Sequence, residues 1–211
     1  MRVGLIKARM IGAVNAKGPA LVFMDAHCEV TTGWLEPLID RIALNKNAST
    51  MAVMDTLVSD TLEYRYNPDP ATFSVGGFEW NMIYEWKSIP DFERKKHKDL
   101  SEPVWSPTML GAFFVIDKEY FELLGLYDPD FEIWGAENLE LSFKVWMCGG
   151  TLELIPCSHA AHMYRKKFPY TVSSIKSTLF NIMEDFVSFL VAKRRKCSLE
   201  KHRSISRSMV G

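Results

Sequence analysis

An aspartate and a histidine stand two residues apart where an apolar run stops, in LVFMDAHCEV (21–30). In an extended chain residues i and i+2 point to one side, so Asp25 and His27 project together and Cys28 points away. A carboxylate oxygen beside an imidazole nitrogen suits a borderline divalent cation such as Mn²⁺ or Zn²⁺. The plain alternative is a surface acid next to a hydrogen-bonded histidine at a strand end. A metal site needs further ligands, and CSHAAHMYRKKFPY offers His159 and His162 directly after another apolar run. A structural zinc site from Cys148, Cys157, His159 and His162 is a rival assembly, although its thiols are too widely spaced for a zinc knuckle. His97, within RKKHKD, reads as solvated.

Short apolar runs alternate with helical patterns, which predicts an α/β fold. A helix is expected over 3–13 and a buried strand over 20–24, whose carboxyl end is where open α/β sheets bind ligands. Thr31 or Thr32 is expected to cap a helix carrying Pro37 near its first turn, with Leu35, Leu38, Ile39 and Ile42 on one face. Further strands are expected at 51–58, 110–116 and 151–155. Asp117 should cap a short helix that Gly125 ends, and residues 137–148 should form another before Gly149-Gly150. Residues 60–107 show no clean period and read as a long loop. An amphipathic helix is expected around 176–192.

The net charge of −1 gives no sign of a nucleic-acid partner, although residues 193–211 alone carry seven Lys/Arg against one Glu. That end reads as a solvated basic tail. No run reaches the ~18 apolar residues of a membrane span, and the first residues show no secretory pattern. Four cysteines are too few for a disulfide scaffold and leave the redox compartment open.

Three stretches together, NAKGPALVFMDAHCEVTTGWLEPL (15–38), DPDFEIWGAENLELSFKVWMCGG (128–150) and LELIPCSHAAHMYRKKFPYT (152–171), carry a family resemblance. The chain resembles the catalytic domain of the polypeptide N-acetylgalactosaminyltransferases over most of residues 2–171. The resemblance implies an α/β fold of the GT-A glycosyltransferase type, a nucleotide-diphospho-sugar transferase with a mixed sheet flanked by helices, here lacking its N-terminal half. It implies a retaining, Mn²⁺-dependent transfer of GalNAc from UDP-GalNAc to Ser or Thr of a protein in the Golgi lumen, although this chain shows no targeting signal. By the same resemblance Asp25, His27 and His162 are the metal ligands. Trp134 lies in the donor site and Glu137 binds the sugar hydroxyls, the two residues closest to the chemistry. Arg165 and Tyr170 lie over the donor phosphates and the closing loop, Arg2 near the nucleotide, and Gly111 and Ala112 along the sugar.

The pocket departs from the family pattern. Ala26 replaces a serine, Ala112 and Ala136 replace glycines, Leu110 is bulkier than the family residue, and His159-Ala160-Ala161 stands for arg-val-gly. A methyl where backbone must approach a ligand closely should narrow the sugar site. Cys148 and Cys157, whose family counterparts pair outside the matching span, are expected to be unpaired. The expected organisation is a partial catalytic domain over 1–175 followed by a helix and basic tail over 176–211. Two functions follow from the resemblance: the transferase, or a catalytically inactive relative that binds metal or a partner protein.

Overall fold

The computed structural model describes residues 3–131 and 134–164. The predicted helix around 176–192, the boundary at 175, and Arg2, Arg165 and Tyr170 all lie outside the described residues.

Helix α1 (Leu5–Asn15) leads into β1 (Ala20–Met24), β2 (Cys28–Val30), α2 (Glu36–Leu44), β3 (Ala48–Leu57) and β4 (Tyr64–Arg65). A 3₁₀ turn (Pro70–Thr72) precedes β5 (Ser74–Phe78), β6 (Tyr84–Ser88), α3 (Asp91–Arg94) and β7 (Val104–Trp105). Then come β8 (Phe113–Asp117), α4 (Lys118–Leu123), α5 (Glu137–Met147) and β9 (Thr151–Met163). The central sheet runs β1-β8-β3-β9-β2, with β4 on β3 and β7 on β9. It is mixed: β3 and β9 are parallel, and the other pairs are antiparallel.

Strand β8 is buried at every position, so its apolar run serves two cores. Phe114 and Ile116 face α1, α4 and α5 with Leu21, Phe23, Tyr127 and Leu141. Phe113 and Val115 face α2 through Leu38 and Ile42. Because β1 is covered on one face only, it alternates instead, burying Leu21 and Phe23 while exposing Val22 and Met24. Asp117 caps α4 as expected, accepting from the Tyr120 amide at 3.0 Å, and Gly125 follows at φ 83°.

Four expectations are corrected. Helix α2 starts at Glu36 with Leu35 at its N-cap, because Thr31 is taken up elsewhere, bonding the His159 carbonyl. The expected long loop is structured, and its elements of two to five residues are too short to show a period. Within it the β5–β6 hairpin docks by backbone approach: a Cβ on Gly76 would overlap the Thr108 carbonyl oxygen. Gly76→Ala should therefore undock the hairpin and cost about 3 kcal/mol, visible as an earlier urea midpoint with unchanged slope; a wild-type midpoint would contradict this packing. Strand β9 does not stop at residue 155 but continues to Met163, passing Pro156 at a bulge, one of the sheet contexts that tolerates proline. Lastly, Cys148 is disulfide-bonded rather than unpaired, while Cys28 and Cys157 are free.

Candidate metal centre

The site forms where β1, β2 and β9 meet. The chain leaves β1 in a turn closed by the Cys28 amide on the Asp25 carbonyl at 3.1 Å, so a turn, not an extended segment, brings Asp25 and His27 to one side. Antiparallel pairing then sets His162 of β9 opposite Cys28 of β2. The His27 and His162 rings lie 4.5 Å apart, and His162 Nε2 is 3.8 Å from Asp25 Oδ2. One ligand atom from each of Asp25, His27 and His162 falls within 4.8 Å of the others, the only such group among the described residues. The zinc alternative is not assembled: Cys148 is in a disulfide, Cys157 is exposed, and His159 is bound to Asp55.

One carboxylate and two imidazoles fit a borderline divalent ion. The buried Nδ1 of His162 has no hydrogen-bond partner, which marks a ring not fully engaged by the protein. Burial pushes the Asp25 pKa up, but His162 and the charges of Arg9 and His27 outweigh it and hold the carboxyl below its ordinary value, ready to ligate. Cys28 stays outside the set. Burial and the nearby Asp25 charge raise its thiol to about 11, so it remains protonated.

Arg9 is the residue that sequence reasoning missed. It reaches from α1 to place Nη2 2.7 Å from Asp25 Oδ1, with the two side chains only 9% and 18% exposed. Tyr127 lies 3.5 Å from its other terminal nitrogen. The only early signal was an arginine on an otherwise weakly amphipathic helix, sixteen residues before its partner. Within electrostatic reach of it is Glu137, 4% exposed at the start of α5, with its carboxylate accepting from the Gly135 amide at 2.8 Å. Burial raises the Glu137 pKa; backbone amides and Arg9 oppose this, while Asp25 adds to it. Trp134, on the approach to α5, is 38% exposed.

Two backbone positions shape this end. Gly111 has φ 87°, and a Cβ there would come within 2.7 Å of Asn138 Cβ, so its glycine serves the approach of α5. Ala136, the α5 N-cap, is left-handed at φ 63° with no side-chain cap. An L-residue with a Cβ is strained there. Ala136→Gly should therefore stabilise the fold by about 0.5–1 kcal/mol despite the added freedom of the unfolded chain, read as a higher melting temperature; a lower one would contradict the strain.

The profile of Glycosyl transferase family 2 matches residues 1–121. The chain is 56% identical over 169 residues to putative polypeptide N-acetylgalactosaminyltransferase 9 of Drosophila melanogaster, covering 80% of this chain and 26% of that protein. It is 53% identical to polypeptide N-acetylgalactosaminyltransferase 5 of Caenorhabditis elegans over 80% of this chain and 27% of that protein. Against the mouse polypeptide N-acetylgalactosaminyltransferase 4 the identity is 48%, over 80% and 29%. The crystal structure of GalNAc-T7 with UDP, GalNAc and Mn²⁺ superposes with a TM-score of 0.74 at 40% identity, covering 78% of this chain and 31% of that one. The chain thus spans between a quarter and a third of the length of these relatives. That likeness makes the fold GT-A.

Proposed function

Because this chain belongs to glycosyl transferase family 2, we propose that it is the metal-binding portion of a transferase moving GalNAc from UDP-GalNAc to Ser or Thr hydroxyls of proteins. The observation that carries the reading is the convergence of Asp25, His27 and His162 at the end of a GT-A sheet. It is supported by relatives named as polypeptide N-acetylgalactosaminyltransferases and by a structural neighbour solved with UDP, GalNAc and Mn²⁺. Transfer takes place in the Golgi lumen with retention at the anomeric carbon, and residues 1–175 form part of the catalytic domain.

Asp25, His27 and His162 would hold Mn²⁺, which would supply Lewis-acid neutralisation of diphosphate charge. Arg9 fixes the Asp25 carboxylate so that one oxygen is spent on the guanidinium and the other faces His162. Glu137, held by the Gly135 amide, offers its remaining acceptor capacity to sugar hydroxyls. By the family resemblance Trp134 belongs to the donor site, with Gly111 and Ala112 along the sugar. Arg2, Arg165 and Tyr170 take their proposed roles in donor binding from the family resemblance alone, arginine's fork being suited to phosphate oxygens.

The test incubates the protein with Mn²⁺, labelled UDP-GalNAc and a threonine-rich peptide. Label in the peptide, lost on chelation, is expected. Mn²⁺ binding measured by calorimetry without any transfer would overturn the enzyme reading in favour of an inactive relative with a narrowed sugar site.

A further inference from the structure

Strand β9 runs beside β3 in two stretches, Thr151–Ile155 against Ala48–Ala52 and His159–Met163 against Val53–Leu57. Between them β9 carries the extra residues Pro156, Cys157 and Ser158 as a bulge. A bulge of this kind interrupts the ladder, so pairing beyond it has to be set anew, and a slip of one residue would turn every later side chain to the opposite face. Here that slip would take His162 away from Asp25.

The first paired residue after the bulge is His159. Its Nδ1 lies 2.9 Å from Oδ2 of Asp55 on β3, and since a carboxylate only accepts, the imidazole donates. Asp55 is itself fixed, accepting from the Tyr64 hydroxyl at 2.9 Å and the Asn67 amide at 3.0 Å. The His159 ring is packed by Tyr66, at 4.4 Å between centroids, and by Phe73, at 5.8 Å. Its carbonyl receives Thr31 from the other side, and Ser158 donates to the Trp34 carbonyl at 2.7 Å. Every one of these bonds is made before β9 reaches His162, three residues on and paired to Thr56 and Cys28.

We propose that the Asp55–His159 pair is the register peg of β9, a positioning element that sets His162 beside Asp25 and His27. The proposal rests on reading those three residues as cation ligands. A pair that only filled the core would be replaceable by an apolar side chain of similar size. A peg requires a donor at the Nδ1 position.

His159→Leu keeps the packing volume and removes the donor, whereas His159→Asn returns an N–H where Nδ1 stood. Each protein is titrated with Mn²⁺ by electron paramagnetic resonance, and the metal-free protein is examined for the nuclear Overhauser contact between the His27 and His162 rings. His159→Leu should weaken Mn²⁺ binding at least tenfold and lose the ring contact; His159→Asn should stay within about threefold of wild type and keep it. A folded His159→Leu protein with wild-type affinity and an intact ring contact overturns the proposal. If His159→Leu does not fold, His159→Phe, which keeps the ring packed by Tyr66 and Phe73 but has no donor, is read by the same two measurements and the same criteria. Should the wild type bind no Mn²⁺, the ligand reading fails by itself, and the metal-free ring contact still decides the register question.

Discussion

Asp25→Asn should abolish metal-dependent transfer, lowering kcat on the order of 10³-fold, or about 4 kcal/mol of charge stabilisation. The amide keeps the shape but withdraws the only anionic ligand of the three, leaving two neutral imidazoles to hold a divalent ion. A second loss is structural. Arg9 is paired with Asp25 at 2.7 Å, and a guanidinium left beside a neutral amide in so enclosed a place costs about 1–3 kcal/mol. The acid limb of wild-type stability has the same origin. The Asp25 pKa is lower folded than unfolded, so its contribution is present above the ordinary carboxylate value of about 4 and fades as pH falls through the folded one. In Asp25→Asn that limb should flatten. A variant that keeps both Mn²⁺ affinity and turnover would remove Asp25 from the site.

Arg9→Met should show a large change in fold stability. Methionine replaces the apolar stem of arginine but not its charge. Arg9 faces Asp25 and Glu137 together, and without it two enclosed carboxyls repel one another and both pKa values rise. The expected loss is about 2–4 kcal/mol in the absence of metal, discounted for the partial exposure of Asp25. The acid unfolding transition should move to higher pH. A divalent ion at Asp25 can supply the missing positive charge, so Mn²⁺ should raise the melting temperature of Arg9→Met by more than it raises that of wild type. Equal melting temperatures for the two metal-free proteins would show that the pair contributes nothing.

The relation between Arg9 and Ala136 is also informative. Both lie at the end of the sheet where α1 and α5 approach the ligand set, and both depart from local preference: one is an enclosed charge, the other a left-handed alanine. Strain and enclosed charge of this kind gather at functional ends of folds, where geometry is held by the surroundings and not by the residue itself.

Much of this was legible along the chain. Strand β1, the Asp117 cap, helix α5 and the Asp25–His27 pair all follow from signals contained within a dozen residues: an apolar run, a capping side chain, a period of three and four, an acid beside an imidazole. Order and residue type offered Asp25 and His27 with either His159 or His162, and hence the class of ion such groups suit; the resemblance singled out His162, and the fold brings it, not His159, beside the pair. Other features depended on surfaces that meet only in the fold. Pro156 reads locally as a strand stop, yet β9 passes it because β3 and β2 supply pairing on both sides beyond the bulge. Arg9 finds Asp25 only because α1 packs Ile6 and Ala13 onto the face that buries Phe23. Sequence states which groups are available for chemistry; which of them stand within 5 Å of one another is decided by strand register and helix packing, whose contacts join residues more than a hundred positions apart.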